Sequence, residues 1–94
     1  LAYNYSRLLG LERRYEECIE IATLGQDICI RHNRCQYLGG LLLNIGYALH
    51  ELGRDEESKS ALTDAYYANR VMKKYSSCKV VQTYAKDHLN LILD

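Results

Sequence analysis

Shifted by 40 residues, the chain lies over itself: Asn4 meets Asn44, Leu9 meets Leu49, Arg14 meets Arg54, Glu16 and Glu17 meet Glu56 and Glu57, and Thr23 meets Thr63. Small residues fall in the same register, Ser6 with Gly46 and Cys18 with Ser58. Self-similarity at a fixed period of about 20 to 50 residues marks a repeat architecture, in which each unit exposes an apolar face that its neighbour buries. The chain is therefore read as helix pairs in tandem and not as one irregular domain.

The second copy is the more regular. Leu42, Ile45, Ala48, Leu49 and Leu52 recur at steps of three and four and share one helical face. Gly53 suits a left-handed helix terminus, and the acidic run Asp55, Glu56, Glu57 suits the positive end of a new helix. Ser58, Ala61, Leu62 and Ala65 then form the stripe that packs back. Gly46, Ser58 and Ala65 are small enough to bring the two helices close together.

Leu42, Gly46, Leu49 and Gly53, followed by Ser58, Leu62 and Ala65, resemble a tetratricopeptide repeat. The first copy keeps Ser6, Leu9, Tyr15, Cys18 and Ala22, but its turn Glu12-Arg13-Arg14 has no glycine and Gly25 replaces the expected alanine. A usual unit of that family is about 34 residues, so the longer spacing predicts longer helices or a longer loop between repeats. In this elongated form the chain resembles the C-terminal arrays of bacterial regulators that carry an N-terminal helix-turn-helix and sense peptides. The resemblance implies an all-α fold of antiparallel helix-turn-helix repeats stacked as a right-handed superhelix, with first helices lining a concave surface.

Five helices are expected, at about 1–11, 15–31, 36–52, 55–73 and 77–93. Residues 1–94 make one unit, with a first repeat over about 1–33, a second over about 36–74, and a last helix over about 77–93 that either opens a third repeat or closes the array. Asn33 is placed to terminate a helix in the left-handed conformation. Arg70, Lys73 and Lys74 complement the negative pole of the fourth helix, and Ser76 or Ser77 caps the fifth. Val81, Tyr84, Ala85, His88, Leu89, Ile92 and Leu93 form the buried stripe of that helix.

Composition narrows the function classes. Twelve Lys and Arg balance twelve Asp and Glu, so no global field attracts nucleic acid or an anionic membrane. Asn44, His50 and Glu51 interrupt the best apolar run well before the roughly 20 residues that span a bilayer, so no membrane role is expected. Cys18, Cys29, Cys35 and Cys78 show no paired spacing and read as small apolar residues in a reducing cytoplasm. Leu1 begins inside a helical pattern, so the sequence reads as part of a longer protein; DNA would be reached only through an N-terminal domain outside it.

The resemblance gives the candidate site. In tetratricopeptide domains that bind extended peptides, an asparagine on the first helix clamps the ligand backbone, and Asn4 and Asn44 stand at equivalent places. An amide offers donor and acceptor together, as a peptide unit does. Tyr3, Arg7, Leu43, Tyr47 and His50 flank them, with Lys79, Gln82, Thr83 and Lys86 joining from the last helix and Gly40 leaving room for a ligand. Tyr3 and Leu43 stand where a carboxylate-holding lysine is wanted, which argues against a chaperone tail as ligand. Tyr37 and Tyr67 join Tyr3 and Tyr47 as contact tyrosines, whereas Tyr15, Tyr66 and Tyr84 read as packing residues.

Catalysis and cofactors find no support in the pattern. The run Cys29, His32, Cys35 lacks the paired spacing of a zinc site, and no nucleophile or paired acid recurs with His50 or His88. The expected function is a protein- or peptide-interaction and oligomerisation module without enzyme activity, cofactor or metal. Its leading setting is the sensor region of a homodimeric bacterial transcription regulator. The alternatives are a generic assembly scaffold and a regulator that blocks a phosphotransfer protein by direct contact. Two helix pairs leave an apolar N-terminal face, which upstream repeats are expected to cover in a longer protein and a second copy in the isolated chain, so a homo-oligomer is the expected partner besides the ligand.

Overall fold

Turns of one kind set the architecture. In the computed structural model, which describes residues 1–94, the residues Arg13, Asn33, Gly53 and Lys73 all adopt positive φ, between 55° and 79°. At each, the next amide closes back on a carbonyl five residues earlier: Arg14 on Leu9 at 2.9 Å, and Arg34 on Cys29, Arg54 on Leu49 and Lys74 on Asn69 at 2.8 Å. This is the Schellman geometry, which satisfies carbonyls that a helix end leaves free. Only Gly53 takes it without steric cost; Arg13 supplies the missing turn of the first copy with a side chain in place.

Between these turns run α1 (Ala2–Leu11), α2 (Tyr15–Arg31), α3 (Leu38–Glu51), α4 (Asp55–Val71) and α5 (Tyr75–Leu89), with a short 3-10 turn at Cys35–Tyr37 before α3. The fold is all-α, an array of helix-turn-helix hairpins. The 40-residue period halves: turns recur every 20 residues, and so do buried positions. Leu9, Cys29, Leu49, Asn69 and Leu89 are all buried, as are Gly25, Ile45, Ala65 and Ala85. Each full helix of 17 residues plus a three-residue turn makes one step, so the added length over a usual repeat lies in the helices.

Packing follows the same step. Ser58 Oγ donates to the Gly46 carbonyl at 2.6 Å, and 20 residues later Cys78 Sγ donates to the Tyr66 carbonyl at 3.7 Å. One core gathers Leu41, Leu42, Ile45, Leu49, Leu62, Tyr66, Val81 and Leu89, and a smaller one holds Leu9, Cys18 and Ala48. Burying a leucine fully is worth about 1.5–3 kcal/mol, and Leu9, Leu41 and Leu62 each reach that limit. Arg14 and Arg54 open α2 and α4 with two-point hydrogen bonds to Glu17 and Glu57, which hold both carboxyls below their usual range.

The last helix departs from expectation. It starts at Tyr75 on the fourth Schellman turn, so neither Ser76 nor Ser77 caps it, and Asn90 at φ 53° ends it before the expected 93. His88, on the outer side of α5, and Ile92, beyond its end, are exposed and not part of the buried stripe, while Val81, Ala85 and Leu89 are buried. The tail folds back: Gln82 Nε2 donates to the Leu93 carbonyl at 2.7 Å, and Leu91 and Leu93 pack on the core. At the opposite end, Leu1, Tyr5 and Leu8 are exposed, although their equivalents 40 residues on, Leu41, Ile45 and Ala48, are buried beneath preceding helices. That face of α1 has nothing in this chain to cover it.

Candidate functional site

The odd-numbered helices lie side by side, α3 between α1 and α5, and their shared surface carries two cavities. One of about 310 Å³ is walled by Tyr3, Gly39, Gly40, Asn69, Lys74 and Ser77. Another of about 210 Å³ is walled by Arg7, Gly10, Asn44, Tyr47 and Tyr84 and is almost wholly apolar. Leu43 and Val80 belong to both, so the cavities adjoin along one groove. Such dimensions suit a side chain with the backbone that carries it, near the lower end of the range of ligand sites.

Small residues create the space. Tyr3 lies over Gly40, where an added Cβ would come within 2.6 Å of its ring, and Tyr47 lies against Gly10. Glycines at 39 and 40 also weaken the first turn of α3, which has neither a side-chain cap nor an acidic residue. Consistently, the α-helix begins three residues after the turn register and the 3-10 segment fills the gap.

The sequence-derived candidates divide by position. Tyr3, Arg7, Leu43, Asn44 and Tyr47 line the groove. Lys79 and Thr83 lie on its outer edge, in a shallow depression with Tyr84 and His88. His50 lines neither cavity; it bonds Asp55 Oδ1 through Nδ1 at 2.9 Å. Asn4 is exposed and lines neither. Gln82 is engaged with the tail, and Lys86 is exposed.

Asn44 has a structural task as well. Its Nδ2 donates to Ser6 Oγ at 2.9 Å and to the Tyr3 carbonyl at 3.3 Å, tying α3 to α1. Its Oδ1 takes no hydrogen bond from the chain and is not sealed from solvent. Asn4 has no counterpart to this bond because no earlier first helix stands beside α1.

A row of rings closes one end of the groove. Tyr15 meets Tyr47 edge-on at 5.8 Å, Tyr47 meets Tyr84 at 6.1 Å, and Tyr84 stacks on His88 at 4.4 Å. His50 approaches both Tyr84 and His88 edge-on. Burial, helped by the neighbouring Tyr15, pushes the Tyr47 hydroxyl up to about 12, and burial also pushes Tyr84 up. Both phenols are therefore neutral donors at physiological pH and not bases.

Tyr84, Val80, Asn69 and Lys74 are groove residues that sequence reasoning left out of the site. Tyr84 is one period from Asn44, so the repeat register itself pointed to it. Asn69 is one helical step from Leu49, a signal visible only with the 20-residue step. Cys29 is buried within α2 while His32 lies in the turn after it, and no three metal-binding side chains converge anywhere in the chain. No protein-family model matches the sequence, and no curated protein or solved structure shows significant similarity to it.

Proposed function

We propose that the chain is a non-enzymatic interaction module that holds an extended peptide or protein segment along the α1–α3–α5 surface. The observation that carries this reading is the pair of adjoining cavities bridged by Leu43 and Val80, with Asn44 on the wall of the smaller one. Apolar walls supply affinity, and a fixed acceptor that reads a backbone N–H supplies register. Tyr3, Tyr47 and Tyr84 contribute large contact area at small entropic cost.

The experiment is selection of peptides from a displayed library, followed by calorimetry on the winners with the intact chain and with Val80→Glu. Val80 is 56% exposed, so a charge there blocks the groove without touching the core. Binding that falls at least tenfold in the variant supports the reading; binding that is unaltered, or a selection that enriches nothing, removes it.

The tetratricopeptide likeness of the second repeat supports, as the setting of this module, a peptide-sensing regulator of transcription in the bacterial cytoplasm, with DNA contacted by another domain. A ligand there acts only by binding two states of the array unequally. Self-association is the second part of the proposal, supported by the uncovered Leu1, Tyr5 and Leu8. Sedimentation of the chain against concentration tests it: association that Tyr5→Glu abolishes is expected, and a strict monomer at all concentrations removes it.

A further inference from the structure

The helical step puts residue 69 at a core position, where α1, α2, α3 and α5 place Leu9, Cys29, Leu49 and Leu89. Asn69 is buried like them, 4% exposed, yet its side-chain amide makes no hydrogen bond with any group of the chain. Burying an amide without a partner is unfavourable, and native interiors avoid it. Neither amide atom is sealed off, however, because the side chain stands on the wall of the 310 Å³ cavity.

The surroundings are shaped around that amide. An added Cβ at Gly39 would come within 2.1 Å of Asn69 Oδ1, so the group occupies space that any other residue at 39 would fill. Tyr3 flanks the cavity above Gly40. Ser77, which the early start of α5 releases from capping, lines the same space. Lys74, on the same wall, donates one bond to the Gln36 carbonyl and lies 6.0 Å from the Tyr37 ring centre.

We infer that this cavity is a binding site for an amide group, held by paired hydrogen bonds to Asn69 beside the Tyr3 ring. An amide returns both a donor and an acceptor, matching Nδ2 and Oδ1 together. A carboxylate would satisfy Nδ2 but set its charge against Oδ1, while the Lys74 ammonium on the same wall would attract it, so an anion is the competing occupant that the test must exclude. The source of the amide is either a glutamine or asparagine side chain or the backbone of the bound segment, and in naming a segment the inference rests on the peptide reading above. In both cases the cavity would read amide chemistry at one end of the groove while the neighbouring apolar cavity takes a hydrophobic side chain.

The test uses small probes with the whole chain, followed by NMR of the Asn69 side-chain amide and the Gly39 and Gly40 backbone amides. N-acetylglutamine N-methylamide offers both sources, N-acetylalanine N-methylamide offers the backbone alone, and acetate is the control. Saturable shifts at all three reporters with the glutamine compound are expected in the millimolar range; in Asn69→Leu the shifts at the two remaining reporters, the Gly39 and Gly40 backbone amides, should be at least tenfold weaker or absent. Equal response to the alanine compound assigns the backbone as source; response to the glutamine compound alone assigns the side chain. With no occupant present, Asn69→Leu should melt higher than the natural chain, since the register already favours leucine. Should that variant not fold, Asn69→Ser removes the paired geometry at smaller volume and must also lose the shifts. No shift with either amide, or a response to acetate as strong, overturns the inference. Shifts with the small amides after a failed peptide selection would keep the cavity and remove only the peptide.

Discussion

Asn44 and Ser6 stand 2.9 Å apart, Nδ2 to Oγ, in helices α3 and α1 that lie 38 residues apart along the chain at these points. The amide at a position expected to clamp a ligand thus also clamps the array. Asn44→Ala removes two donated bonds, to Ser6 Oγ and the Tyr3 carbonyl. A loss of about 1–2 kcal/mol is expected in urea unfolding without any ligand. An unchanged midpoint would show that the tie contributes nothing.

At Gly46 α3 lies close against α4. An added Cβ would come within 2.7 Å of Leu62 Cδ2 and 2.8 Å of its Cγ, and Leu62 is completely buried with nowhere to move. Gly46→Ala gains about 1 kcal/mol of helix propensity but forces a repacking that costs about 1–3 kcal/mol. Net destabilisation is expected in thermal unfolding, against the usual sign for glycine-to-alanine in a helix.

Equivalent turns should respond with opposite signs. At Gly53 no atom lies within 4 Å of an added Cβ, so Gly53→Ala meets only the penalty of its φ of 79°, about 1 kcal/mol. Arg13 holds the same turn at φ 62° with a side chain, and Arg13→Gly should gain up to about 0.5–1 kcal/mol. Chemical denaturation of both variants checks the pair; destabilisation at Arg13 would mean that its side chain outweighs the backbone strain.

Alkali should weaken the fold through the ring row. Tyr47 has an ordinary value near 10 when unfolded and about 12 when folded. An acid whose folded value is raised stabilises fully below the unfolded value and loses that contribution as pH climbs through the folded one. Stability should therefore fall between about pH 10 and 12, and Tyr47→Phe should fall less steeply. Tyrosinate absorbance of the natural chain less that of Tyr47→Phe should place the Tyr47 ionisation near the top of that range; ionisation at its ordinary value would contradict the burial assigned to it.

Much of the array was readable along the chain because its causes are local. Gly53 and Asn33 announce left-handed turns, Asp55 to Glu57 announce a helix start, and the stripe Ser58, Ala61, Leu62, Ala65 is buried as its spacing requires. Arg13 and Lys73 gave no such sign, since neither residue type favours positive φ; the repeat spacing alone marked their places. The end of α5 was misread because the apolar pattern continues through Leu93 while the backbone turns at Asn90.

Periodicity and turn chemistry, both set by neighbours within a few residues, determined the helices, their order and the face each one buries. Which amides are spent inside the protein was decided only by tertiary structure: Asn44 bonds to α1, Asn69 faces a cavity with nothing to bond, and Asn4 lies exposed. The three share one side chain and differ only in what the fold sets beside them. A hydrogen bond between groups remote in the chain requires their separation to be held to within a few tenths of an ångström, and no local pattern encodes that.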